Sequence, residues 1–166
     1  DRALYGRVQD QILLKPISIL EIKKYLRQGN RESMIAQLTL GGMIEYLARV
    51  KGKQGSFFSR LCQGSFFPSS YFLIEFEKVF VSSLSKNKYY RAVIAYLSQV
   101  KNATIPQITS AIKKGEKWGG SFAQILDDLE KCGFIEKYVP LHKGSVSKLV
   151  RYCIADEYLQ WYYKFI

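Results

Sequence analysis

Lys113, Lys114 and Lys117 stand just before a run of helical spacing, Ser121 to Cys132, and Lys143, Lys148 and Arg151 come after it. Ammonium and guanidinium groups gathered around one helix are the side chains that hold phosphates, while the exposed residues of that helix are placed to meet base edges. Phe122, Ile125, Leu126 and Leu129 recur on one face of the run, leaving Ser121, Gln124, Asp127, Asp128 and Lys131 on the other. Gln124 carries the amide that pairs with adenine, and Ser121 a hydroxyl suited to a phosphate or a base. Asp127 and Asp128 weigh against such a role, because carboxylates on a groove-facing side repel a phosphate backbone. Trp118-Gly119-Gly120 reads as a hydrophobic turn anchor rather than a ligand contact.

Other chemistry is poorly provided for. His142 is the sole histidine, and Cys62, Cys132 and Cys153 are an odd, widely spaced set with no Cys-x-x-Cys pair. That set builds neither a disulfide framework nor a zinc site, and a reducing, cytoplasmic setting is the default expectation. A nucleophile with a histidine base is not evident, so no catalytic residue is assigned. A Gly-x-x-x-x-Gly-Lys-Ser/Thr loop does not occur, and Gly52-Lys-Gln-Gly55 lacks both the length and the hydroxyl needed for magnesium. With 166 residues, 48% hydrophobic and 23% charged, the chain reads as globular, and its net charge of +11 favours a polyanionic partner. The longest uncharged run, Leu61 to Ile74, is interrupted by Gly64 and Pro68 and falls short of a membrane span, so a membrane is not an expected partner. The chain opens on Asp1 without a signal-peptide pattern, which reads as a piece of a longer protein.

The elements that must position the basic residues are mainly helical. A short run, Gln11 to Lys15, reads as a strand ending at Pro16. Ser18 with Glu21 three residues on forms a capping-box pattern for a helix carrying Ile19, Ile22 and Leu26. Residues 31–38 read as a second helix, and Gly41-Gly42 open a third with Met43, Tyr46, Leu47 and Val50 as its stripe. Phe57, Phe58, Leu61, Phe66 and Phe67 read as core, and Pro68-Ser-Ser70 as the cap of a helix from Tyr71 to about Leu84 with Phe72, Phe76, Val79 and Phe80 on one side. Ser85 to Lys88 is a basic seam. After it, Val93, Ile94 and Leu97, then Ile105, Ile108 and Ile112, then the 121–132 run predict three amphipathic helices. Gly133 stops the last, and Phe134–Val139 and Leu149–Ile154 predict a hairpin. That order is a winged helix. A strongly aromatic helix closes the chain, and its Tyr158, Trp161, Tyr162 and Phe165 need a partner surface.

Several short motifs in sequence order carry a family resemblance: Leu4-Tyr-Gly-Arg7, Ile12-Leu-Leu-Lys-Pro-Ile-Ser18, Gly41-Gly-Met-Ile-Glu-Tyr-Leu47, the stretch Gly119 to Ile135, and Arg151 to Tyr158. Together they resemble the C-terminal part of the archaeal-type AAA+ ATPases that are also widespread in bacteria. The resemblance implies a mainly α fold in which residues 1–14 end the ATPase core, 15–84 form a helical lid subdomain and 85–155 a winged helix. Residues 156–166 would lead to a further domain. It implies a parent that binds ATP and Mg, carries a P-loop domain before this part and a nuclease-like domain after it, with self-association left open. Arg7 matches the place of an arginine finger, which neutralises charge on a transferred phosphoryl group, although a turn arginine is the plainer reading. The family's second sensing arginine has no match, since Met43 or Ile44 stands there.

Two expectations follow. One is a DNA-binding winged helix using Lys113, Lys114, Lys117, Ser121, Gln124, Lys143, Lys148 and Arg151, coupled to nucleotide state. The other is a protein-interaction and coupling module with no nucleic-acid contact. In either case the chain by itself holds no cofactor and is not expected to be an enzyme.

Overall fold

The computed structural model describes residues 15–52, 54–84, 88–112, 121–141 and 149–166. Among these the order is α1 (Ile19–Leu26), α2 (Asn30–Leu40), α3 (Ile44–Val50), α4 (Phe57–Phe66), α5 (Tyr71–Leu84), α6 (Lys88–Gln99), α7 (Ile105–Ile112), α8 (Ser121–Lys131), β1 (Ile135–Tyr138), β2 (Arg151–Ile154) and α9 (Glu157–Phe165). The fold is mainly helical with one small antiparallel sheet.

Local chemistry accounts for many boundaries. The Glu21 carboxylate accepts from the Ser18 N–H and hydroxyl, both at 2.8 Å, as the capping-box spacing predicts. Thr104 and Gln107 repeat the device at α7, where Gln107 Oε1 accepts from the Thr104 N–H at 2.8 Å and hydroxyl at 3.0 Å. Ser56 caps α4 through the Ser59 N–H, and Asp156 caps α9 through the Leu159 N–H at 2.8 Å. Gly133, at φ 77°, ends α8 in a left-handed conformation that other residues adopt at a cost. Ser70 departs from expectation: it precedes α5, but its hydroxyl is buried and makes no hydrogen bond.

Gly41 and Gly42 separate α2 from α3, and their smallness has a definite use. The segment before α1 crosses here, with the Ile17 N–H donating to the Gly42 carbonyl at 2.9 Å. A Cβ on Gly42 would overlap the Ile17 backbone.

The aromatic segment at α4 differs from the sequence expectation. Phe57 and Leu61 are buried, but Phe58, Phe66 and Phe67 are 40%, 53% and 59% exposed. The inward line of α4 is Phe57, Leu61 and Ser65, spaced by four, and the other phenylalanines fall off that line. Ile19, Met43 and Ile105, read as members of apolar stripes, are likewise exposed at the rims of their helices.

α9 packs back on the chain against α2 and α6. Tyr158 is 1% exposed, donates its hydroxyl to the Phe72 carbonyl, and lies with its ring 4.9 Å from that of Tyr46. Trp161 meets Phe66 and Phe72, and Tyr162 stacks on Phe76 at 3.7 Å and 3°. The partner surface that the aromatic pattern demands is supplied by α3, α4 and α5 for Tyr158, Trp161 and Tyr162, while Phe165 stays 62% exposed.

Candidate nucleic-acid interface

The surroundings of α8 start from its buried stripe. Phe122, Ile125, Leu126 and Leu129 are all at most 3% exposed, and they join Val93, Ile94 and Leu97 of α6 and Ile108 of α7 in the core. At 100° per residue this stripe turns Lys131 directly outward, with Gln124 and Asp127 about 30° to either side of it and Asp128 further round, on the flank nearer α6. Beyond α8, β1 and β2 pair antiparallel, Ile135 with Ile154 through Tyr138 with Arg151. β2 also carries a bridge on its other edge: the Ala103 N–H donates to the Tyr152 carbonyl at 2.9 Å and the Tyr152 N–H to the Ala103 carbonyl at 2.8 Å. The connection between α6 and α7 is therefore tied to the hairpin.

Of the two neighbouring acids, Asp128 is better accommodated than its sequence suggests, while Asp127 is exposed. Asp128 accepts the Tyr90 hydroxyl at 2.6 Å and the Gln124 amide at 2.7 Å. The Tyr90 bond, then the Gln124 bond, hold the Asp128 carboxyl below its ordinary range, and the same bond pushes the Tyr90 phenol up to about 12. Glu130 pairs with Lys137 at 2.8 Å across to β1, which raises the Lys137 ammonium. So Asp128 is a partnered carboxylate on the side of α6, and Tyr90 is a participant that sequence reasoning missed. Its link to Asp128 spans 38 residues, and periodicity carries no signal for it.

Of the expected site residues, Gln124 lies exposed on α8 and Ser121 opens that helix. Arg151 begins β2, half-buried, and donates to Asn102 Oδ1 at 2.6 Å, while its Nε is buried with no hydrogen-bond partner. That bond joins the α6–α7 connection to the hairpin a second time. Arg7, Lys113, Lys114, Lys117, Lys143 and Lys148 lie outside the described residues, as does His142.

Among the described residues no group of three or more His, Cys, Asp or Glu could hold a metal ion. Cys62 and Cys132 are exposed and Cys153 half-buried, all as free thiols. Burial, then a hydrogen bond to Glu136, pushes the Cys153 thiol up to about 11, which makes it a poor nucleophile. An open groove of about 350 Å³ runs between α2 and α9, walled by Ile35, Leu38, Trp161 and Phe165 with Lys164 at its edge. Its lining brings together no acid–base or nucleophile pair. Among the described residues no helix is long and apolar enough to cross a membrane.

No family model, curated protein or solved structure matches this chain.

Proposed function

We propose that this chain is the lid and winged-helix portion of an AAA+ ATP-binding protein, and that it holds duplex DNA through the basic rim around α8. The P-loop, ATP and Mg belong to the parent protein, and this portion couples DNA contact to nucleotide state without hydrolysing ATP itself. The observation that carries the DNA-binding reading is the place of β2 between β1 and Ala103. With it, α6, α7, α8 and the hairpin follow the element order of a winged helix, and the polar side of α8 points outward. The net charge of +11 supports the same reading. The AAA+ part rests on the order of the sequence motifs and on the helical unit α1–α5.

A second reading, a protein-docking module without DNA contact, is favoured by the groove between α2 and α9 and by exposed Phe58, Phe66 and Phe67. Titration of a fluorescent duplex with the chain at two salt concentrations separates the two. DNA binding predicts an affinity that falls by orders of magnitude between about 50 and 200 mM salt. Reversing the charge at Lys113, Lys114 and Lys143 should weaken binding by a comparable factor. No binding at the lower salt leaves the docking reading standing alone.

A further inference from the structure

Gln124 is exposed on the outward side of α8, next to its central Lys131 and across from Asp127, with its amide already engaged. A carboxylate only accepts hydrogen bonds, so the atom turned to Asp128 is Nε2, and one of its two N–H groups is spent there at 2.7 Å. Asp128 is in turn held from the other side by the Tyr90 hydroxyl at 2.6 Å, on a separate helix whose Val93, Ile94 and Leu97 are fully packed. The second N–H and Oε1 of Gln124 have no described partner. That donor–acceptor pair is the one adenine takes through N7 and N6 in the major groove.

We infer that Gln124 is a preset adenine reader whose amide is aimed by a two-member buttress, Asp128 and then Tyr90. This rests on the DNA-binding reading above and adds specificity to it. An unbraced glutamine has to give up rotamer freedom when it binds, whereas this side chain starts in one orientation. Tyr90 and Asp128 are positioning residues and need not touch DNA. Asp128 keeps its negative charge, and its two hydrogen bonds direct that charge at Tyr90 and Gln124, where it fixes the amide.

The test is selection of binding sites from a randomised duplex library with the full chain, followed by affinities for the selected duplex and its single-position variants. The expected result is one position at which adenine is preferred by about tenfold to a hundredfold. Gln124→Ala should flatten that position alone and leave the salt dependence unchanged. Tyr90→Phe and Asp128→Ala should lower the preference severalfold while total affinity changes little, and Asp128→Asn, which keeps an accepting oxygen, should restore part of it. A preference untouched by Gln124→Ala overturns the inference while the DNA-binding reading survives. So does a full preference in both Tyr90→Phe and Asp128→Ala. Absence of any duplex binding by the unmodified chain at low salt overturns both. Thermal unfolding of each variant separates loss of the buttress from loss of the fold.

Discussion

α8 and α9 are 11 and 9 residues long, both amphipathic, and the chain uses them in opposite ways. α9 buries Tyr158, Leu159 and Trp161 and is covered by aromatic side chains from α3, α4 and α5. α8 buries one stripe and turns a polar side outward, where the described contacts are a hydrogen bond within the helix, another to Tyr90 of α6 and an ion pair to Lys137 of β1. Ring stacking and buried area add up without being directional, so α9 serves as a staple. Amides, hydroxyls and carboxylates with a free valence serve a ligand. If α8 reads DNA as proposed, stability and recognition are carried by different helices, and substitutions should separate them.

The largest effect is expected at the staple. Phe72 is fully buried, and its ring meets Tyr46, Tyr71, Tyr158 and Trp161. Phe72→Ala should cost about 3–5 kcal/mol, because the rings around the cavity cannot all collapse into it. Gln124→Ala, on the outward side of α8, should change stability by less than about 0.5 kcal/mol. Urea unfolding followed by tryptophan fluorescence measures both, and near-equal midpoints would break the contrast between the two helices.

Next comes the crossing at Gly42. An added methyl group there meets backbone atoms of Ile17, which cannot swing aside as a flexible side chain does. Gly42→Ala should cost about 1–3 kcal/mol. The loss should appear as early hydrogen exchange at α1, with the α8 and hairpin amides protected as before. Uniform loss of protection would mean that α1 is coupled to α8 as tightly as α9 is to α5.

Sequence made legible what is local. The Ser18–Glu21 box, the stop at Gly133 and the buried stripes of α6 and α8 all depend on neighbours within a turn or two, and each is where its pattern puts it; the two strands lie within the extended runs that their residue types marked. Three features escaped for one reason, that they join distant segments. The aromatic face of α9 looked unpartnered because Tyr46, Phe66, Phe72 and Phe76, which meet it, lie far back in the chain on α3, α4 and α5. Asp128 looked like free negative charge because Tyr90 lies on another helix. Arg151, placed by its sequence position beside the wing, also donates to Asn102, a tie between distant segments that no local pattern carries. Phe58, Phe66 and Phe67 failed differently: residue type promised burial, and the spacing of α4 denied it.

The smallest effect compares one carboxylate from each region. Asp156, at the start of α9, is raised above its ordinary value chiefly by burial, whereas Asp128, on α8, is lowered by the Tyr90 and Gln124 bonds. For Asp156 the folded state binds its proton more readily than the unfolded chain. Stability therefore rises as pH falls through the raised value toward the ordinary one, and the ionised form weighs against folding at neutral pH. For Asp128 the order is reversed: its contribution is present above the ordinary value and is lost as pH falls through the lowered one. Asp156→Asn keeps a good helix cap without the buried charge, so its unfolding midpoint at neutral pH should equal or exceed that of the unmodified chain and lose the advantage in acid. Asp128→Asn should be the less stable at neutral pH and converge with the unmodified chain in acid. Urea midpoints across the acid range measure both profiles. Displacement of both variants in the same direction at neutral pH would mean that the two carboxylates share one environment, and that the division between staple and reader does not extend to charge.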